Sequence, residues 1–291
     1  MQVHLVDGTY ELFRHYFALP EHLNRDGQEV SATRGVLGSL LGMLRDGATH
    51  VGVATDHVVE SFRNDLYEGY KTGEGLEEEI HSQFPLLEEA LEAAGFAVWR
   101  MQDHEADDGM ATGGALASRD SRVERIWLCT PDKDLAQCVE GTRIVMHDRR
   151  KGVTLDEAGV REKFGVGPAS IPDYLGLMGD SADGFPGLPG WGARSSATVL
   201  AHYEHIEAIP ESAEDWAVKV RGATRLAATL VAEREDALLY RHLATLVRNA
   251  PEVGPVDGWR WTGPRENFEE ICDYLDSPRL PERAQRLAEG R

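Results

Sequence analysis

Cysteine is scarce and unpatterned in this chain. Cys129, Cys138 and Cys272 are odd in number among 291 residues, scattered, and without CxxC spacing. That argues against a disulfide framework, a disulfide-linked partner and a zinc site, and for a reducing cytoplasm. Long apolar runs are missing too, so no stretch approaches a membrane span. The opening Met1-Gln-Val-His-Leu-Val-Asp7 runs straight into a strand pattern and leaves no room for a secretory signal. Repeats and low-complexity tracts are also lacking. Positive charge is the largest shortage: 30 Lys and Arg face 50 Asp and Glu, for a formal net charge of −20. Nucleic-acid binders ordinarily carry a basic footprint, so the global charge weighs against one. The cations are unevenly placed, however. Residues 77–108 hold ten acids and one arginine, whereas Arg143, Arg149, Arg150, Lys151, Arg161 and Lys163 crowd one short stretch. A locally basic groove on an acidic body therefore stays open.

What is present reads as a globular protein large enough for one domain or two. Short apolar strands alternate with helices through the first half. Val3–Val6 predicts a buried strand, followed by a helix over 32–46 stopped at Gly47. Val51–Thr55 is the next strand, 77–94 an amphipathic helix ended by Gly95, and Ala97–Met101 a strand. A helix over 106–118 and strands at Arg125–Thr130 and Arg143–His147 complete the series. Strands separated by helices imply right-handed crossovers and an α/β fold, with a mostly parallel sheet and helices on both faces. From about residue 154 the strand signal stops. Thr154-Leu-Asp-Glu157 fits a capping box opening a helix, and 168–250 reads as helical, broken by a Gly/Pro-rich loop at 184–192. A loop at 258–263 precedes one or two short helices. The expected organisation is an α/β core over 1–153 and a helical part over 154–291.

Acidic residues supply the strongest functional signal. Asp7 and Asp56 each close a short apolar run, and three clusters follow: Glu105-Ala-Asp107-Asp108, Asp132-Lys-Asp134 and Asp180-Ser-Ala-Asp183. In open α/β sheets the ligand site lies beyond the carboxyl ends of the strands. Asp7, Asp56, Glu105 with Asp107 and Asp108, and Asp132 with Asp134 all fall there. Each alone has a plain alternative. Asp7-Gly8 reads as a turn, and Asp107 and Asp108 favour a helix dipole. Their agreement on one edge is harder to obtain from capping. Gathered carboxylates resist ionising together, and folds that collect them usually hold hard divalent cations such as Mg²⁺ or Mn²⁺. Two such ions a few ångströms apart can drive phosphodiester hydrolysis.

Two further segments bear on the same chemistry. After Asp180 and Asp183 comes a glycine-rich hairpin ending Gly190-Trp-Gly192, then a helix from Ala193 with Arg194 at its start. Its amides can bind phosphate and its carbonyls a cation, although a plain helix–hairpin–helix connector has the same pattern. Ser61-Phe-Arg63 through Tyr70-Lys71 follows the second strand. Arg63 and Lys71 could neutralise a phosphate and Tyr70 could stack on a base, or the segment could be a solvated loop.

Read in order, Val6-Asp-Gly8, Ser61-Phe-Arg63, Tyr70-Lys71, Glu105-Ala-Asp-Asp108, Asp132-Lys-Asp-Leu135, Gly179-Asp-x-x-Asp183 and Gly190-x-Gly192 resemble the 5′→3′ exonuclease and flap endonuclease family, which includes the 5′-nuclease domain of bacterial DNA polymerase I. The ordered set covers nearly the whole chain, which has no polymerase region and so resembles a free-standing member. The resemblance implies a PIN-like fold, an arch or clamp around 57–84, and a helix–hairpin–helix that grips duplex DNA. It implies Asp7, Asp56, Glu105 and Asp107 on one Mg²⁺ and Asp132, Asp134, Asp180 and Asp183 on a second, with Asp107 or Asp108 linking them. Two ions or three are expected, with Mn²⁺ able to substitute and K⁺ at the 187–192 hairpin. Arg14, Arg63, Tyr70, Lys71, Gly190, Gly192 and Arg194 would contact DNA. Of these, Arg63 and Lys71 would act with Asp107 and Asp132 in catalysis. The implied substrate is DNA with 5′ flaps, nicks or ends, including RNA-primed ones, in replication or repair. This sequence departs from the family pattern at Gly184, where asparagine is common, at Arg194 for lysine, and at Pro131 for a small residue.

Two rivals are a degenerate relative that binds branched DNA without cutting it, and a Mg²⁺-dependent phosphatase of the haloacid dehalogenase type. The complete acid set disfavours the first. The second wants Asp-x-Asp after the first strand, and Thr9 stands where its second aspartate would.

Overall fold

A computed structural model describes residues 1–290, which divide into two compact units. The first comprises Met1–Ser61, Gly73–Thr130 and the segment from Val247. The second comprises Phe62–Thr72 and Pro131–Leu246.

In the first unit, strands β1 (Gln2–Asp7), β2 (His50–Asp56), β3 (Ala97–Met101) and β4 (Arg125–Cys129) run parallel in the order β3-β2-β1-β4. Register places Leu5 beside Gly52 and Gly52 beside Ala97, so alternate residues share one face. The helix Ala106–Arg119 covers that face closely. A Cβ on Gly109 would meet Met101 Sδ at 2.9 Å, and one on Gly113 would meet the Trp99 ring at 2.8 Å. The other face, with Val6, Val51 and Val53, belongs to a buried apolar core. Helices Gly8–Ala18, Ser31–Arg45 and Gln83–Ala93 supply Leu12, Val36, Leu40, Leu87 and Leu91 to it. Trp261, Phe268, Cys272 and Leu275 from the C-terminal segment complete it. Helices therefore cover both faces, as the alternation of strands and helices predicts.

The second unit holds an antiparallel pair, β5 (Ile144–Asp148) and β6 (Val153–Leu155), and is otherwise helical. Helices Glu157–Phe164, Ile171–Met178, Ala193–Tyr203, Ala223–Ala232 and Arg234–Ala244 make up most of it. Ile171–Met178 and Arg234–Ala244 approach closely at Gly176, where a Cβ would lie 2.9 Å from the Ala237 carbonyl.

Three local readings are corrected. Asp7-Gly8 is a helix start rather than a turn: Asp7 Oδ1 accepts from Tyr10 N at 2.8 Å and caps Gly8–Ala18. Gly8 permits this because a Cβ there would lie 2.8–2.9 Å from β2 atoms of Val53, Ala54 and Thr55. The predicted helix over 77–94 is two, Glu78–His81 and Gln83–Ala93. Pro85 explains the break, because it has no N–H to give His81 and its ring crowds that carbonyl. The strand signal also continues past 154. Thr154 pairs with His147 in β6, and Asp156 caps the following helix by accepting from Gly159 N at 2.9 Å.

Among the described residues, no helix is long and apolar enough to cross a membrane.

Candidate metal centre

In the first unit, Asp7 ends β1 and Asp56 ends β2, both at the carboxyl edge of the parallel strands. Backbone and hydroxyl donors fix them. Thr130 Oγ1 donates to Asp7 Oδ2 at 3.2 Å, and Ala106 N donates to Asp56 Oδ1 at 2.8 Å. Glu105 is buried and accepts from Ser61 Oγ at 2.8 Å. Asp108 has a different character. Its Oδ2 accepts from Glu105 N at 3.0 Å and its Oδ1 from Val247 N at 2.8 Å, with no solvent exposure. Both of its oxygens are thus engaged by backbone amides, whereas Asp107, one residue earlier on the helix, is only half-buried. Arg14, on the helix that Asp7 caps, is half-buried and paired with Glu11.

Behind Asp56 lies a group that the sequence does not single out. The buried Glu88 accepts from Thr55 Oγ1 at 2.7 Å and stands 2.8 Å from His57 Nδ1, gripping both neighbours of Asp56. Only the helical phase of 83–93, which turns Glu88 toward the apolar side, hints at it.

The second unit contains the tightest acidic group. Among the described residues, Asp134, Asp180 and Asp183 form the one set in which carboxylate oxygens from three residues lie within 4.8 Å of one another. Asp132 is exposed, and its Oδ1 accepts from Asp134 N at 3.0 Å, starting a short 3₁₀ turn at Lys133–Cys138 that aims Asp134 inward. Asp180 is set by a tight bend. Its N–H and C=O bond those of Phe185 at 2.8 and 3.1 Å, and its Oδ1 accepts from Ala182 N. Gly179 and Gly184 flank this bend with φ of 88° each, the left-handed region that glycine adopts freely.

Electrostatics make the trio costly without a cation. Burial above all, then the Asp132 and Asp183 carboxylates, push Asp134 well above the usual carboxylate range. Its Oδ1 is buried and accepts no hydrogen bond. Lys133 Nζ sits 4.0 Å from that oxygen and pairs with Asp180 Oδ2, and Lys71 Nζ lies 2.9 Å from Asp183 Oδ1. Converging hard oxygen donors with a buried oxygen to spare fit a divalent cation of the Mg²⁺ or Mn²⁺ class. Lys133 is absent from the sequence-derived set of site residues, although its place between two aspartates was a usable signal.

The segment Phe62–Thr72 is built into this unit. Lys71 N donates to the Asp183 carbonyl at 2.9 Å, and the Lys71 ammonium lies 5.6 Å from the centre of the Tyr70 ring. A Cβ on Gly184 would fall 2.1 Å from the Gly69 carbonyl oxygen, so the glycine that departs from the family pattern is required by that approach. Arg63 and Tyr70 are both buried, at 1% and 4% exposure. Arg63 Nε donates to the Leu243 carbonyl at 2.7 Å and Nη2 to the Thr245 carbonyl at 3.2 Å, closing the C-terminal end of the Arg234–Ala244 helix. At the glycine hairpin, Gly190 has φ 87° and Gly192 precedes the Ala193–Tyr203 helix, with Ser195 Oγ accepting from its N–H at 3.0 Å. Arg194 is exposed at that helix start.

Comparison with known proteins places the chain. Residues 2–165 match the 5′-3′ exonuclease N-terminal resolvase-like domain, and residues 166–267 match the 5′-3′ exonuclease C-terminal SAM fold. DNA polymerase I of Pseudomonas aeruginosa is 34% identical over 253 residues, covering 83% of this chain and 27% of that protein. DNA polymerase I of Bacillus caldotenax is 33% identical over 290 residues, covering 94% and 32%. The chain thus spans about 30% of the length of the curated relatives it matches. A solved structure of T5 5′-exonuclease with bound zinc superposes with a TM-score of 0.68 at 16% identity, covering 99% of both chains, which shows the shared fold. With both family domains matched in order and relatives above 30% identity over most of its length, the chain belongs to the 5′-3′ exonuclease family.

Proposed function

We propose that this chain is a divalent-cation-dependent 5′ nuclease that hydrolyses phosphodiester bonds of DNA bearing 5′ flaps, nicks or ends. The observation that carries the reading is the Asp134–Asp180–Asp183 trio, with its spare buried oxygen, in a chain of an exonuclease family. Asp134, Asp180 and Asp183, aided by Asp132, would hold one cation, and Asp7, Asp56, Glu105 and Asp107 another. A cation of this class would supply positive charge to a phosphate and lower the pKa of a water bound to it.

The remaining roles fall to the chain's own residues. Lys71, half-exposed beside Asp183, offers an ammonium to a non-bridging phosphate oxygen, and the Tyr70 ring backs it. Arg63 holds the start of this segment against the 234–244 helix, so its contribution is to place Lys71 rather than to meet phosphate. Asp108 similarly orients the start of its helix, and with it Glu105 and Asp107. Ser61 and Thr130 fix the lone pairs of Glu105 and Asp7. Gly190, Gly192 and the exposed Arg194 present backbone amides and a guanidinium to a duplex phosphate backbone, and Arg14 adds a second basic contact. The carboxylates and Lys71 would thus carry the chemistry and the hairpin the duplex grip.

A time course on 5′-labelled flap, nicked and single-stranded DNA, with Mg²⁺, Mn²⁺ or EDTA, tests this. Cleavage near the flap junction or release of mononucleotides, abolished by EDTA, is the expected result. Tight flap binding with no product in either metal would overturn it.

A further inference from the structure

Two ammonium groups already occupy the acidic trio. Lys133 Nζ pairs with Asp180 Oδ2 and lies 4.0 Å from the spare Asp134 oxygen, and Lys71 Nζ lies 2.9 Å from Asp183 Oδ1. Lys133 has been drawn in from water, with about a third of its side chain exposed. A lysine that points into a carboxylate cluster, rather than out along an exposed turn, is doing the electrostatic work of a cation.

We infer that Lys133 is an internal counter-ion for the Asp134–Asp180–Asp183 site, holding it folded without metal and competing with the divalent cation for the same oxygens. The inference rests on the metal reading given above. The chemistry follows from exchange. A divalent cation needs the Asp180 oxygen that the ammonium covers, so entry of the cation breaks the Lys133–Asp180 pair or leaves the two cations in repulsion. Either way Lys133 stabilises the metal-free protein more than the loaded one, and by linkage it weakens metal binding. Lys71 stands in the same relation to Asp183. When a cation takes that carboxylate, the Lys71 ammonium is released toward solvent, where an incoming phosphate can use it.

Calorimetric titration of the EDTA-stripped full chain with Mn²⁺ tests Lys133, with Lys133→Met, Lys133→Arg and Asp134→Asn beside the unsubstituted protein. Met keeps the apolar stem and removes the charge, and should tighten Mn²⁺ binding about tenfold. Arg keeps the charge and should stay within about twofold of the unsubstituted chain. The methionine variant should also melt lower without metal and show a larger Mn²⁺-induced rise in Tm, and that comparison serves if the metal-free variant is too unstable to titrate. Equal or weaker Mn²⁺ binding by Lys133→Met, with one Mn²⁺ equivalent lost in Asp134→Asn, would overturn the counter-ion role while sparing the metal site. An unchanged number and affinity of bound Mn²⁺ in Asp134→Asn would overturn the metal site and the counter-ion role with it.

Discussion

Replacing Asp134 by asparagine should make the metal-free protein more stable while removing the part of its metal response that the Asp134–Asp180–Asp183 site supplies. Oxygens of Asp134, Asp180 and Asp183 lie within 4.8 Å of one another. At an effective dielectric near 20, like charges at that separation repel by about 3.5 kcal/mol per pair. Asp134 faces two such partners, and Lys133 at 4.0 Å returns about 4 kcal/mol of attraction. The balance is a net penalty of about 3 kcal/mol for an ionised Asp134, part of which the carboxyl relieves by keeping its proton. Asparagine has nearly the same volume and no charge, so urea unfolding in EDTA should show a gain of about 1–3 kcal/mol with an unchanged slope. The direction with pH is also fixed. Because the folded pKa is raised, the contribution of Asp134 is fully present below the unfolded value of 3.8 and is lost as pH rises through the folded value. The gap between the two proteins should therefore close in acid and widen toward neutrality. Saturating Mn²⁺ should reverse the order, because a ligand at 1,000 times its Kd adds about 4.1 kcal/mol to the protein that binds it. A metal-free Asp134→Asn protein less stable than the unsubstituted one by more than about 1 kcal/mol would refute this reasoning.

Arg63→Met should cost about 3 kcal/mol, since it leaves the Leu243 and Thr245 carbonyls without their charged donor, whereas Lys71→Met should stay within about 1 kcal/mol of the unsubstituted chain yet lose most cleavage. Equal stability of the two variants in urea would contradict the placing role given to Arg63. Gly184→Ala should destabilise far more than Gly27→Ala. Both glycines have positive φ, but only at Gly184 does a Cβ strike a carbonyl, that of Gly69 at 2.1 Å, while Gly27 has nothing within 4 Å. Matching costs at the two sites would mean that the Phe62–Thr72 segment yields freely. Burial first, then Asp273 and Glu269, pushes the Cys272 thiol up to about 12 from 9.0, so its contribution is full below pH 9 and is lost as pH climbs toward 12. Unfolding free energy should fall across that window, and Cys272→Ala should flatten the fall; an unchanged slope would count against it.

Much of this arrangement was legible in the sequence because strand ends are local. Asp7 and Asp56 each follow an uninterrupted apolar run, so their place at the carboxyl edge needs only the strand period and the direction of a parallel sheet. What could not be read depends on partners far along the chain. Arg63 reads as an exposed loop cation until its guanidinium is seen on carbonyls 180 and 182 residues away. Tyr70 reads as a base-stacking ring, yet it is buried beneath its neighbour Lys71. The Gly8–Ala18 helix escaped notice because Asp-Gly is a turn signal, and only the crowding of β2 against Gly8 shows why a glycine opens a helix there.

The acids themselves separate by what their oxygens already hold, and no sequence pattern conveys that. Asp107 and Asp108 are neighbours in one motif, and both invite a ligand role. Asp108 gives one oxygen to Glu105 N and the other to Val247 N, so withdrawing it for a cation would orphan two amides, the buried one at about 1–3 kcal/mol. Asp134 is the opposite case. Its Oδ1 is buried without a donor, beside carboxylates that raise its proton affinity and a lysine that offsets them. A buried carboxylate of the first kind tightens a fold by itself. One of the second kind weakens the fold until a cation arrives, which makes the second kind the better marker of a metal site. By that criterion a short motif such as Glu105-Ala-Asp-Asp108 divides into supporting and ligating members, and Asp108→Asn should damage folding where Asp134→Asn improves it.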